Sequence, residues 1–293
     1  MPTEVQAFVK IDIKELLKTK APRLERFVPS SLVRSLSRLL HLDEINDFLE
    51  NSYQLEPTEF VHSCNQFLAL STKVIGDSLL GEYLPQRPII VANHPLGGPE
   101  SIALLEIMGS YGVKTKLVSN SILTHLRPLA PSLVPIPARG DRLASRAFQG
   151  DFASDAAIII FPAGYCSRPL ANGVFFDYQW HFTFIKMAKK YNRPIIPVHI
   201  AGSNSKRFYR LSAIRKALRI KTSLESLYLP DEMFKQRGKL IEFTVGQMIE
   251  SSIFDNQVDN CTWADKVRNH VYHLGSQPTR VFDPLAAPQL PFK

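Results

Sequence analysis

The stretch Pro88-Ile-Ile-Val-Ala-Asn93-His94-Pro-Leu-Gly97-Gly98-Pro99-Glu100 holds a base and an acid in a spacing that can do proton-transfer chemistry. An apolar run of strand type ends in Asn93-His94, passes a Pro/Gly turn and reaches an acid just before the amphipathic run Ile102 to Met108. That order reads strand, tight loop, helix. An imidazole near its ordinary pKa of about 6.5 can take a proton from a hydroxyl at neutral pH, provided a second group fixes its tautomer and stabilises the imidazolium. Glu100 is the candidate for that group. Glycines at 97 and 98 let the chain from His94 to Glu100 curl back on itself. Pro99 suits the first helical position, and a carboxylate just after it is favoured by the helix dipole. The bland alternative is a structural turn whose His bonds only to backbone.

Three more stretches fall at the ends of apolar runs. Leu133-Val-Pro-Ile-Pro-Ala-Arg139-Gly-Asp141 places an Arg between a strand and a helix, and Ile160-Phe-Pro-Ala-Gly164-Tyr-Cys-Ser167-Arg168 does the same after the most apolar strand. The third is Pro194-Ile-Ile-Pro-Val-His199-Ile-Ala-Gly202. Two arginines converging on a His–acid pair would form an anion-binding floor beside the base, because guanidinium forks match phosphate or carboxylate oxygens. Cys166 raises the alternative of a thiol nucleophile, but a lone Cys among apolar neighbours reads as a packed residue.

The elements that must position these groups alternate in type. Strands are expected at 73–75, 88–92, 114–118, 134–136, 156–161, 195–200 and 240–245, with helices at about 101–111, 141–152 and 180–191 between several of them. Continuous apolar strands imply helices on both sheet faces, so the fold class is α/β with a mostly parallel central sheet flanked by helices, and ligands gather at the strands' carboxyl ends. Residues 1–70 read as a helical N-terminal subdomain, 71–250 as the α/β domain, and 251–293 as a C-terminal helix with an irregular Pro-rich tail. Within the first part, Asp12 with Glu15 resembles a capping box ahead of Leu16 and Leu17, and Ser30 and Ser31 can cap a second helix. Further helices run through Ile45, Phe48 and Leu49, and through Phe60, Cys64 and Phe67.

The composition, 45% apolar and 21% charged, is that of a globular protein, and the net charge of +8 favours an anionic partner. The cysteines Cys64, Cys166 and Cys261 are widely separated, which points to a reducing compartment and no metal site. There is no signal-peptide pattern at the N-terminus and no apolar run of membrane-spanning length, so a cytoplasmic protein, soluble or peripheral on the inner face of the membrane, is expected. Between Asp177 and Glu225 there is no acidic residue. Lys186, Lys189, Lys190, Arg193, Lys206, Arg207, Arg210, Arg215, Lys216, Arg219 and Lys221 fall there instead, interleaved with Phe208, Ile214 and Leu218. Such a segment suits an anionic membrane surface or an acidic carrier protein, and equally a solvated helix face. No nucleic-acid-binding signature accompanies the charge, so no nucleic-acid partner is expected.

Asn93-His94-Pro-Leu-Gly-Gly-Pro-Glu100, Phe161-Pro-Ala-Gly-Tyr-Cys-Ser-Arg168 and Ile196-Pro-Val198 resemble the ordered blocks of the lysophospholipid acyltransferase superfamily. The resemblance is closer to its bacterial hemolysin-like branch, which includes O-acyltransferases of ornithine- and glycine-lipid synthesis, and runs from about residue 10 to 250. It implies transfer of an acyl group from an acyl carrier protein or coenzyme A thioester to the hydroxyl of a lyso-lipid acceptor, with no tightly bound cofactor. His94 would be the general base, Glu100 the motif acid, and Asn93, Gly97, Gly98, Arg139, Gly164, Ser167 and Arg168 substrate-binding. Glu in place of the motif Asp, and Ala163 where phosphatidate-forming members have Glu, fit the hemolysin-like branch and weigh against a lysophosphatidate acceptor. Backbone N–H groups of Gly97 and Gly98 would be the oxyanion donors. The alternatives are an acyl-thioester hydrolase using the same pair on water, and a non-catalytic anionic-lipid-binding protein.

Overall fold

The computed structural model describes residues 10–12, 29–120, 123, 126–170, 173–219 and 224–288. Three helices, α1 (Ser30–Leu39), α2 (Leu42–Ser52) and α3 (Pro57–Phe67), lead into strand β1 (Ser71–Ile75). There follow α4 (Asp77–Tyr83), β2 (Ile89–Ala92), α5 (Pro99–Ser110), β3 (Thr115–Ser119), β4 (Leu133–Pro135), α6 (Arg142–Ala153) and β5 (Ala157–Ile160). A short hairpin, β6 (Arg168–Pro169) with β7 (Phe175–Phe176), precedes α7 (Thr183–Tyr191), β8 (Ile195–Ile200), α8 (Lys206–Ala217), α9 (Leu229–Phe234), β9 (Leu240–Val245) and α10 (Asn260–Leu274).

Seven strands form one sheet in the order β1-β9-β8-β2-β5-β3-β4, parallel at every junction except β8 with β9. The sheet is mostly parallel and helix-flanked, as expected, and all seven strands overlap the ranges expected for strands. Side chains alternate between its two faces, the period of a strand. Ile90 and Ala92 of β2 and Ile159 of β5 join Phe60, Leu104 and Met108 from α3 and α5 in one core. Ile89, Val91 and Ile158 join Phe152, Phe184, Trp263 and Val267 from α6, α7 and α10 in the other. Leu49 of α2 and Cys64 of α3 belong to the first of these cores, so these helices pack directly on the sheet.

Two local expectations are revised and a third is not described. Pro29, at φ −61° and ψ 148°, occupies the cap position of α1 with no side-chain cap bond, so Ser30 and Ser31 fall inside the helix and do not cap it. The α7 helix begins at Thr183 rather than near 180, since Trp180 is drawn into a buried hydrogen bond with Asp177. The capping box at Asp12 and Glu15 lies, beyond Asp12 itself, outside the described residues.

One buried cation ties the edge where the central strands begin. Arg193 is fully buried and donates to the carbonyls of Phe152, Ser154, Pro88 and Ala156, just ahead of β2 and β5. Burial lowers its pKa to about 10. It therefore does not belong to the basic surface inferred from sequence. Arg215 leaves that surface too, since its Nε lies 2.7 Å from the buried Glu225 carboxylate.

Candidate active site

His94 follows β2 directly, at the carboxyl end of a central strand. Asn93 fixes its approach: the amide Nδ2 donates to the Ile200 carbonyl at 2.9 Å, and the Ile200 N–H donates to Oδ1 at 2.7 Å. Both polar atoms of Asn93 are thus committed to locking β2 against β8, which makes it a positioning group. The next residues turn through Gly97 at φ +92°, a conformation for glycine. A Cβ there would stand 2.7 Å from Cys166 Sγ and 2.8 Å from Leu229 Cδ2, so a side chain at this position would also force those neighbours to shift.

The acid arrives as the sequence suggests. Glu100 lies in the first turn of α5, fully buried, with Oε1 3.0 Å from His94 Nδ1. At that distance the two groups form an ion pair whenever the imidazole is protonated. Glu100 also accepts three backbone N–H bonds, from Leu96 and Gly97 at 2.8 Å each on Oε1 and from Gly98 at 2.9 Å on Oε2. This overturns the oxyanion role expected for the Gly97 and Gly98 amides. They face inward onto the motif carboxylate and are not free for a substrate.

Burial alone would lower the His94 pKa, but the Glu100 charge and contact, with the Asp177 charge, leave it raised above the usual 6.5. For Glu100, burial works upward and is outweighed by His94 and the loop N–H groups, so its pKa is lowered. Nδ1 is buried against Glu100, so the 16% exposure of the His94 side chain belongs to the rest of the ring and leaves Nε2 to meet a substrate. Phe161 stacks on the imidazole at 4.5 Å between centroids and walls one face.

The Phe161–Arg168 block closes over this pair, and the roles within it differ from those expected. The Ser167 hydroxyl donates to Asp177 Oδ1 at 2.6 Å, and its N–H donates to the His94 carbonyl at 2.9 Å. Arg168 is buried, with Nη1 on the Cys166 carbonyl at 2.7 Å and Nη2 3.2 Å from Glu225 Oε1. A guanidinium already opposed by a carboxylate cannot form the anion-binding floor. Arg139 is exposed in the loop after β4, and the order β2-β5-β3-β4 sets it three strands from His94. Gly164, at φ +66°, is exposed with open space where a Cβ would be. The structure thus joins His94, Glu100, Asn93, Gly97, Gly98 and Ser167 in one site, and holds Arg168 beside it in a structural pairing.

Two polar neighbours of the site escaped the sequence reading. Asp177 is fully buried next to the site, and Tyr272 of α10 places its hydroxyl 3.3 Å from Ser167 Oγ. The only local signal was an acid set among Phe175, Phe176, Tyr178 and Trp180. Among the described residues, no three His, Cys, Asp or Glu side chains stand close enough to share a metal ion.

Cys166 is buried, and burial, reinforced by the Glu100 charge, pushes its thiol up to about 12. The thiolate needed for covalent catalysis is therefore scarce at neutral pH. Iodoacetamide at pH 7.5 is expected to label the exposed Cys261 and spare Cys64 and Cys166 in the native protein, as read by peptide mass mapping. Rapid labelling of Cys166 would reopen a thiol route.

The Acyltransferase family model matches residues 15–277, most of the chain and all of this site. The chain belongs to the acyltransferase family. The acyltransferase is 39% identical over 269 residues to a lyso-glycine lipid O-acyltransferase of Bacteroides thetaiotaomicron, covering 90% of this chain and 97% of that one. A lyso-glycine lipid O-acyltransferase of Phocaeicola vulgatus is 38% identical over 271 residues, covering 90% and 95%. A solved structure, the 1-acyl-sn-glycerophosphate (LPA) acyltransferase PlsC from Thermotoga maritima, aligns with a TM-score of 0.47 at 14% identity over 82% of the acyltransferase and 95% of its own chain. The family expected from the ordered motif blocks is the one found. Among its described residues the acyltransferase has no helix long and apolar enough to cross a membrane.

Proposed function

We propose that this acyltransferase moves a fatty acyl group from an acyl carrier protein or coenzyme A thioester to the hydroxyl of a lyso-lipid whose headgroup is glycine. The observation that carries the acceptor is the likeness, at 39% identity over 90% of the chain, to a protein named for that reaction. The His94–Glu100 pair supplies the chemistry.

Nδ1 faces Glu100, so Nε2 is the basic atom. As it takes the proton, the acceptor oxygen attacks the thioester carbonyl, a C–O bond forms, and the tetrahedral centre collapses with loss of the C–S bond. The imidazolium, stabilised by Glu100, returns the proton to the leaving thiolate. No covalent enzyme intermediate is needed, in keeping with the high Cys166 pKa.

A place at the cytoplasmic face of a membrane is supported by α8. Its Arg207 and Arg210 are exposed, as is Arg219 just beyond, and they flank Ile214 at 55% and Leu218 at 66% exposure. Exposed cationic side chains beside exposed apolar ones suit an anionic headgroup surface.

The test is a mass-spectrometric product assay in which purified protein receives acyl carrier protein and coenzyme A thioesters with lyso-glycine lipid, lyso-ornithine lipid and lysophosphatidate. The expected product is the diacyl glycine lipid, formed fastest of the three. Thiol release at the same rate with and without acceptor would show a hydrolase instead, and diacyl product from lysophosphatidate alone would overturn the headgroup assignment.

A further inference from the structure

The residue after a strand has lost its ladder partners, so its N–H and C=O need others. For His94 both come from one segment. The Ser167 N–H donates to the His94 carbonyl at 2.9 Å, and the His94 N–H is directed at Asp177 Oδ1 at 3.4 Å. Asp177 is itself fully buried and gathers further donors: the Ser167 hydroxyl at 2.6 Å on Oδ1 and the Trp180 indole N–H at 2.8 Å on Oδ2. Every one of these groups is a donor, so the arrangement suits a carboxylate rather than a neutral acid.

We propose that Asp177 is a positioning residue for acyl transfer, a second buried carboxylate that clamps the His94 main chain together with Ser167 and holds a fixed negative charge behind the imidazole. The inference rests on His94 being the general base and assigns the base a second anchor beyond the motif acid. Glu100 meets the ring, whereas Asp177 meets the backbone that carries it. The charged and titratable groups around this core are Glu100 on α5, Cys166 and Arg168 in the block above, and Arg268 and Tyr272 on α10. Arg268 is paired with Asp265 at 3.0 Å, and among the described residues no Lys or Arg forms an ion pair with Asp177. Burial is what raises the Asp177 pKa, and its donors and His94 work against that rise.

A negative charge near an imidazole favours the imidazolium, so removing it lowers the pH at which the base becomes neutral. The experiment is the pH profile of kcat and kcat/KM for purified wild type, Asp177→Asn, Tyr272→Phe and Ser167→Ala, each checked by circular dichroism and thermal melting. In Asp177→Asn the rising limb is expected to move to lower pH by about one unit. Tyr272→Phe keeps the charge and should keep the limb. Ser167→Ala also keeps the charge but cuts the hydroxyl link, and should lower kcat by about tenfold at unchanged KM and unchanged limb, the signature of a misplaced base. A folded Asp177→Asn protein with its limb unmoved overturns the proposal. If that variant does not fold, Ser167→Ala decides, and full kcat there overturns the clamp. A wild type without transferase activity would instead refute the proposed function.

Discussion

His94→Ala loses acyl transfer by about 10²- to 10⁴-fold while the protein stays folded, the range general acid–base groups contribute. The loss is expected in kcat, because Nε2 acts on the proton in flight rather than on binding. The fold should survive at a lower melting temperature, because the buried Glu100 loses its ion-pair partner but little else hangs on the ring. Asn93 still locks β2 to β8, Ser167 still meets the main-chain carbonyl at position 94, and Glu100 keeps its three backbone N–H donors. Initial rates with the preferred acceptor, beside a melting curve, check both halves. Undiminished kcat would remove His94 from the chemistry.

The wild-type pH profile follows from the same geometry. If His94 is the base, only its neutral form accepts the proton, and since its pKa is raised, activity is expected to climb with pH through a value above 6.5. Stability runs the opposite way: the ion pair's contribution through His94 is complete below 6.5 and is lost as pH rises through the folded pKa.

Glu100→Gln is expected to damage both activity and fold. The carboxylate offers Oε1 to two N–H groups and to His94, and Oε2 to a third N–H. An amide has one acceptor oxygen, so its NH₂ would confront a buried N–H with nothing to accept either. Breaking a buried, hydrogen-bonded ion pair on one side costs about 3–5 kcal/mol. A melting temperature lower by several degrees should accompany loss of transfer, both measured on one preparation. The acid limb of wild-type stability carries the same signature. The Glu100 pKa is lowered, so its contribution is full above the unfolded value of 4.5 and is lost as pH falls through the folded one. Normal melting in Glu100→Gln would mean that the loop holds its shape without the charge.

What could be read in advance was local. Strands β2, β5 and β8 are buried on both faces, so each is a continuous apolar run in the sequence. The His94–Glu100 contact closes within one strand–loop–helix unit, and Pro99 and the two glycines announce it. What could not be read depends on distant chain. Asp177 meets His94 across 83 positions, Tyr272 meets Ser167 across 105, and Arg168 finds Glu225 across 57. The last pairing is why an Arg at a strand end, read as an anion site, turned out to be internal. The Gly97 and Gly98 amides were misread for a subtler reason. Loop composition shows that N–H groups cluster there, but not whether they face a substrate or the protein's own acid.

The Arg193 guanidinium gives the fold an anchored side and an open side. By gathering carbonyls from the approaches to β2 and β5, it fastens these strands where they start, while His94 and the Phe161–Arg168 block stand where they end. For an engineer, the two sides are separate problems. Loops at the strand ends, such as the exposed turn at Arg139, can be lengthened or exchanged without disturbing the tether. A change near Arg193, far from any substrate, would loosen the frame against which those loops are aimed.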